Sequence, residues 1–180
     1  MTPSPPVRPC TPDDLSEVRE IYALEVREGT ASFELEAPSL AEMTARFAAI
    51  EAAGLPYLVA ELGGRIAGYA YASPYRPRPA YRHTVEDSVY VARFARRQGV
   101  GRALLDALIE RATARGMRQM VAIIGDSAHV ASIDLHARAG FRLVGTLEDV
   151  GWKFGRWLDT VIMQRGLGDG ARTPAPDRST

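Results

Sequence analysis

Apolar residues recur at helical spacing in four stretches of the chain and at strand spacing between them, and the order of these stretches predicts the fold. Leu15, Val18, Tyr22 and Val26 follow Thr11-Pro12-Asp13-Asp14, which reads as a helix cap with proline at the first position and an acid at the third, so a first helix is expected to end near Gly29. Ser39 and Glu42 form a second capping box, and Met43, Phe47 and Ile50 carry that helix to Gly54. Residues 57–62 and 66–72 flank Gly63-Gly64, whose tolerance of positive φ suits a tight hairpin turn. Residues 84–91 form a third strand. Leu104, Leu105, Leu108, Ile109 and Ala112 then line one face of a long helix over 101–115, with Gly116 as its stop. A short strand at 120–124, a helix at 131–139 and two last strands at 141–150 and 157–165 complete the pattern. Helices between strands, with hairpins at both ends, predict a mixed α/β (α+β) sheet domain rather than the regular alternation of a Rossmann sheet.

The chain has 180 residues, 46% hydrophobic and 24% charged, the balance of one soluble domain. Residues 1–6 are rich in proline and 166–180 in glycine, proline and polar residues, so both are expected to be flexible tails around a domain at 7–165. The 22 basic and 22 acidic residues cancel, which argues against a nucleic-acid-binding face. No apolar run approaches the roughly 18 residues of a membrane span, and the N-terminus lacks the apolar run of a signal peptide, so a cytoplasmic protein without a membrane partner is expected. Cys10 stands alone, which excludes an internal disulfide. His83, His129 and His136 lack metal-ligand spacing, and no G-x-S-x-G elbow is present, so neither a metal site nor a serine hydrolase is expected.

Chemistry concentrates where the strand ending Val89-Tyr90-Val91 runs through Arg96-Arg97-Gln98-Gly99-Val100-Gly101-Arg102 into a helix. Such a turn is either a plain tight connection or a cradle whose N–H groups and helix dipole hold a pyrophosphate. It lacks the Gly-Lys-Ser/Thr of a P-loop, and Leu104 stands where a dinucleotide fingerprint needs a small residue. The remaining pattern, R-x-x-G-x-G-R-A-L, resembles the acyl-CoA motif of the GNAT N-acetyltransferases. Residues 67–71, 78–86, 124–136 and 151–159 are similar to the phosphinothricin and methionine sulfoximine acetyltransferase branch of that superfamily, so the resemblance covers nearly all of 7–165.

That resemblance implies a single GNAT-type domain with a mixed, mostly antiparallel sheet flanked by helices, paired as a homodimer. Acetyl-CoA would be the co-substrate. Main-chain groups of Val89, Tyr90 and Val91 would line its pantetheine arm, and Arg97, Gln98, Gly99, Val100, Gly101 and Arg102 its pyrophosphate. Ser132 and His129 would lie along the arm, His129 standing where many relatives carry asparagine. The implied reaction is direct acetyl transfer in a ternary complex to the α-amine of a small amino-acid analogue. Two alternatives stay open: a different amine, such as a protein N-terminus or a polyamine, and a CoA sensor without catalysis.

An ammonium has no lone pair to attack a thioester, so such a reaction needs a base. Glu86, three residues before Val89, is expected beside the thioester and is the catalytic candidate; an outward strand acid paired with an arginine is the plainer reading. His136 is either a satisfied structural histidine or a relay that protonates the departing thiolate. In the proline-stiffened loop before Glu86, Arg76 and Arg78 would bind the acceptor's anionic groups and Tyr81 would shape its pocket, with Glu86 and Asp87 on its amino group. Phe33 and Glu34 would close the pocket. Trp152, Phe154 and Trp157 are expected in the core or at a dimer contact.

Overall fold

The computed structural model describes residues 5–175. Strand β1 (Val7–Pro9) leads through a 3₁₀ turn into α1 (Leu15–Glu28), followed by α2 (Leu40–Ala52), β2 (Tyr57–Leu62), β3 (Arg65–Pro74) and β4 (Thr84–Val91). Helix α3 (Val100–Ala114), β5 (Gln119–Gly125), α4 (Val130–Arg138), β6 (Arg142–Lys153) and β7 (Arg156–Gly166) complete a single α/β domain. Both predicted capping boxes form, Thr11 with Asp14 and Ser39 with Glu42. The hairpin turn has φ of 59° and 75° at Gly63 and Gly64.

All seven strands make one sheet in the order β1-β2-β3-β4-β5-β7-β6. Every pairing is antiparallel except β4 with β5, which run parallel and pair only from Thr84↔Gln119 to Asp87↔Ala122. Beyond that point Ser88–Val91 stays bonded to β3 and Ile123–Gly125 to β7, so the middle of the sheet opens as a wedge. Helices α1 and α2 cover the face that carries Tyr57, Tyr69 and Tyr90, where Tyr22 and Phe47 meet the tyrosines edge-on. Helix α3 covers the opposite face, burying Val100, Leu104, Leu105 and Leu108 against β2, β3 and β4. Gly68 lets it come close: a Cβ there would lie 2.7 Å from the Tyr90 carbonyl and 3.1 Å from Leu104.

One expectation changes and another narrows. The C-terminal segment expected to fray from 166 is packed over its described part, because Leu167 is buried and Arg118 donates to Gly170, Thr173 and Pro174. Trp152, Phe154 and Trp157 are not core residues of this chain: each is more than half exposed, and Trp152 and Trp157 pack edge-on against one another.

Candidate active site

The wedge between β4 and β5 is lined by Ser88, Val89 and Tyr90 on one side, Ile123 and Ile124 on the other, and by His129 before α4 and Ser132 and His136 along it. On the wedge side each bordering strand lacks a neighbour over these residues, so the main-chain groups facing the gap can pair with an extended ligand as they would with a strand. At its open end the chain turns through Arg97 (φ 62°) and Gly99 (φ 81°) into α3. The first internal bond of α3 runs from Ala103 N–H to Gly99 (3.0 Å), leaving the N–H groups of Val100, Gly101 and Arg102 free of helical partners, with no acid in the first turn. The two glycines differ in purpose. Gly99 supplies a left-handed backbone, whereas a Cβ on Gly101 would press on Val91 and Leu135 at 3.4 Å.

Not every arginine of this loop is free to meet an anion. Arg93 and Arg96 pair with Glu28 and Glu25, tying the turn to α1. Arg102 is held by Asp106 (2.6 Å) and the Arg138 carbonyl (2.9 Å). Arg97 is exposed and makes no ion pair among the described residues. Loop geometry, unbonded helix-start amides and an unpaired arginine fit the pyrophosphate of an acyl-CoA.

Glu86 and Asp87 do not face one ligand together. Successive strand residues point to opposite faces, so Glu86 shares the α1–α2 side with Ser88 and Tyr90, while Asp87 points to α4 with Val89 alongside. Three residues is an odd separation, so the side chains of Glu86 and Val89 lie on opposite faces of β4. The Glu86 carboxylate is half-buried and makes no hydrogen bond or ion pair among the described residues. Burial and the neighbouring Asp87 push its pKa above the ordinary glutamate value, with the Arg76 charge opposing them. On the same face burial raises the pKa of the Tyr71 hydroxyl, with Ser88 opposing it.

His136 is buried at the closed end of the wedge. Its Nδ1 lies 2.7 Å from the Ser132 carbonyl, which can only accept, so Nδ1 carries a proton; Nε2 lies 2.9 Å from Asp87 Oδ2. Burial pulls its pKa down, but the hydrogen bond to Asp87, that residue's charge and the Ser132 carbonyl outweigh it, and the net direction is up. Both ring nitrogens are thus engaged, in a pair that joins α4 to β4. His129 is half-buried at the start of α4, and burial lowers its pKa.

On the α1–α2 side, the 30–33 loop lies over the strand ends. A Cβ on Gly125 would press on the Thr30 carbonyl and the Phe33 ring, and one on Gly151 would overlap that ring. Glu34 is held by the Tyr22 hydroxyl (2.9 Å) and Arg46 (2.6 Å). Lys153, absent from the sequence-based set, is buried here and donates to the Ser32 carbonyl at 2.6 Å. Burial lowers its pKa against the pull of Glu25 and Glu34. Arg76, Arg78 and Tyr81 lie on the exposed approach to β4, with Arg76 over the Tyr75 ring and Tyr81 edge-on to it.

A mixed sheet that parts beside a helix start with unbonded N–H groups, with a half-buried, unpaired acid where the strands separate, fits an acyl-CoA-dependent transferase. Residues 7–162 match the acetyltransferase (GNAT) domain family, and the chain belongs to it. It is an N-acetyltransferase that depends on acetyl-CoA. The chain is 56% identical over 167 residues to phosphinothricin N-acetyltransferase of Alcaligenes faecalis, covering 93% of this chain and 85% of that one. It is 45% identical over 155 residues to the L-methionine sulfoximine/L-methionine sulfone acetyltransferase of Pseudomonas paraeruginosa, covering 86% and 90%. A crystal structure of a GNAT superfamily phosphinothricin acetyltransferase from Sinorhizobium meliloti in complex with AcCoA superposes with a TM-score of 0.95, at 46% identity over 98% of this chain and 95% of that one. Among the described residues no helix is long and apolar enough to cross a membrane, and no group of three or more His, Cys, Asp or Glu is arranged to hold a metal.

Proposed function

We propose that this protein transfers the acetyl group of acetyl-CoA to the α-amine of a small amino-acid analogue such as phosphinothricin, methionine sulfoximine or methionine sulfone. Transfer is direct, in a ternary complex, in a cytoplasmic homodimer. The observation that carries the reading is Glu86, half-buried and unpaired on the α1–α2 face where β4 and β5 part.

Bound acetyl-CoA supplies an activated acyl carbon. The chain supplies the rest. Main-chain groups of residues 89–91 hold the arm, and the loop at 97–102 holds the pyrophosphate. Glu86 takes the proton from the acceptor ammonium, directly or through water, and its raised pKa makes it a better base than an ordinary glutamate. Arg76 and Arg78 meet the acceptor's anionic groups, while Phe33 and Tyr81 shape its apolar side. His136 acts through its place beside Asp87 rather than through a free N–H. The relatives' substrates support the acceptor class, and the exposed apolar residues of β6, among them Leu143, Leu147 and Trp152, supply a surface for a second copy.

The test follows free thiol release from acetyl-CoA with methionine sulfoximine, methionine sulfone, phosphinothricin, glutamate, spermidine and an N-terminal peptide. Turnover confined to the amino-acid analogues supports the reading. Turnover with only the peptide or the polyamine refutes the acceptor class, and tight CoA binding without turnover on any amine refutes catalysis.

A further inference from the structure

Asp87 is a buried carboxylate with two unlike oxygens. Oδ2 accepts from His136 Nε2 at 2.9 Å, in a pair whose side chains are 4% and 1% exposed. Oδ1 is equally buried and meets no donor of the protein. A buried charged acceptor left without a partner is costly, and such atoms are normally satisfied by whatever the site binds. Asp87 lines the wedge, and Asp87↔Ala122 is the last pair before the strands part, so this oxygen sits at the closed end.

The ligand's length can be compared with the wedge. Val91 precedes the pyrophosphate turn, and the four residues back to Asp87 span about 13 Å at ~3.3 Å per residue. An extended pantetheine arm runs nine or ten bonds from the pyrophosphate to the amide nearest the thioester, about 11–12 Å at ~1.2 Å per bond. That amide N–H is a donor of the arm able to reach Asp87.

We propose that Asp87 is an acyl-CoA-binding residue, with Oδ2 held by His136 and Oδ1 accepting the pantetheine amide N–H nearest the thioester. This contact sets how far the thioester advances toward Glu86. It rests on acetyl-CoA occupying the wedge as described above. His136, whose Nδ1–H is directed at the Ser132 carbonyl, turns its Nε2 to Oδ2 and so fixes the carboxylate with Oδ1 toward the wedge. The titratable groups bearing on His136 are Asp87 from β4 and His129 from the start of α4, while β5 presents Ala122, Ile123 and Ile124 across the wedge.

Calorimetry of the full-length protein and of Asp87→Asn, with acetyl-CoA, CoA and adenosine 3′-phosphate 5′-diphosphate, tests the contact. The third ligand keeps the phosphates and lacks the arm. Loss of a charged hydrogen bond is expected to weaken acetyl-CoA and CoA by roughly 10- to 100-fold and to leave the third ligand within two-fold. Equal weakening of all three, or of none, overturns the proposal, as does a rise confined to the acceptor KM. A second measurement needs no variant. A donor arriving at Oδ1 draws charge from Asp87, so the His136 ring, followed by NMR, should titrate at lower pH with CoA bound than with the arm-less nucleotide bound. Identical titrations overturn the proposal. Failure of the wild-type protein to bind acetyl-CoA would instead overturn the reading on which it rests.

Discussion

Replacing Glu86 by glutamine tests the chemistry most directly. The side chain keeps its size and its capacity for hydrogen bonds, and no hydrogen bond or ion pair of the folded chain is broken, since Glu86 makes none among the described residues. What it loses is the ability to hold the amine's proton. A positioned base contributes about 10²- to 10⁴-fold, so kcat/KM should fall by that factor, or about 2.7–5.5 kcal/mol of transition-state stabilisation. The acceptor KM should change only a few-fold, because glutamine still accepts from an N–H.

The pH profile sharpens the test. Burial and Asp87 raise the Glu86 pKa, so the wild-type acid limb of kcat/KM should lie above the roughly 4.3 of a free glutamate and vanish in the glutamine variant. Arg76 opposes that rise, so Arg76→Gln should move the wild-type limb to still higher pH. Stability runs the other way. An acid whose folded pKa is raised contributes stability below its unfolded pKa, and that contribution is lost as pH rises through the folded pKa; glutamine at this position should therefore be no less stable than wild type at pH 8. The assay is thiol release across pH, with a thermal melt of each variant. Activity within ten-fold of wild type, or an unchanged acid limb, would refute the role of Glu86.

Gly68→Ala drives a methyl to 2.7 Å from the Tyr90 carbonyl, and overpacking of about 1–3 kcal/mol should lower Tm by roughly 2–12 °C in a thermal melt. Cys10 is buried and its thiol is pushed up to about 12 by burial, with the Asp14 charge adding to it, so it is no nucleophile near neutral pH; Cys10→Ala should leave kcat unchanged, and an inactive, folded variant would argue for an acyl-enzyme. Asp14 is held down to about 2, first by its hydrogen bonds from Arg8 and then by Thr11. Its contribution is present above the unfolded value of 3.8 and is lost as pH falls through about 2, so urea midpoints should drop over that window in wild type and drop less in Arg8→Ala.

Periodicity made most elements legible, because each buries one face: the helix at 15–28 by its three- and four-residue spacing, the hairpin by its two glycines, and the strand at 84–91 by its edges. Pairing was harder to read. Nothing local in residues 84–91 says that hydrogen bonding to β5 stops after Asp87, since that depends on where β7 and α4 draw the second strand. Side-chain direction was recoverable from period two, which sets Glu86 and Asp87 apart, but the partner of Asp87 lies 49 residues away in sequence. Lys153 inverts the usual pattern. The strand turns Gly151 and Lys153 inward and Trp152 outward, a reversal that makes sense only with the Ser32 carbonyl and the Phe33 ring in place. Leu167 was missed for a similar reason: one apolar residue in a polar, glycine-rich segment carries no period, and only the Arg118 main chain, which accepts its N–H at 3.0 Å, fixes it.

In the proposed function, the parting of β4 and β5 would let a single strand address two substrates. Residue 86 faces the aromatic side beneath α1 and α2, where the acceptor approach with Arg76 and Tyr81 lies; residue 87 faces α4, and the main chain between them borders the wedge. In the proposed reaction the donor would lie edge-on in the sheet while the amine comes from one face, and attack would occur through the gap rather than across a surface pocket. This arrangement depends on register. A one-residue slip within 84–88 exchanges the sides of Glu86 and Asp87, taking the base from the amine and the carboxylate from His136 in one step. An inserted residue there should abolish turnover even in a protein that still folds and binds the nucleotide end of CoA. An insertion of the same size among residues 76–80, all exposed, changes no strand register, so it should act mainly on acceptor KM.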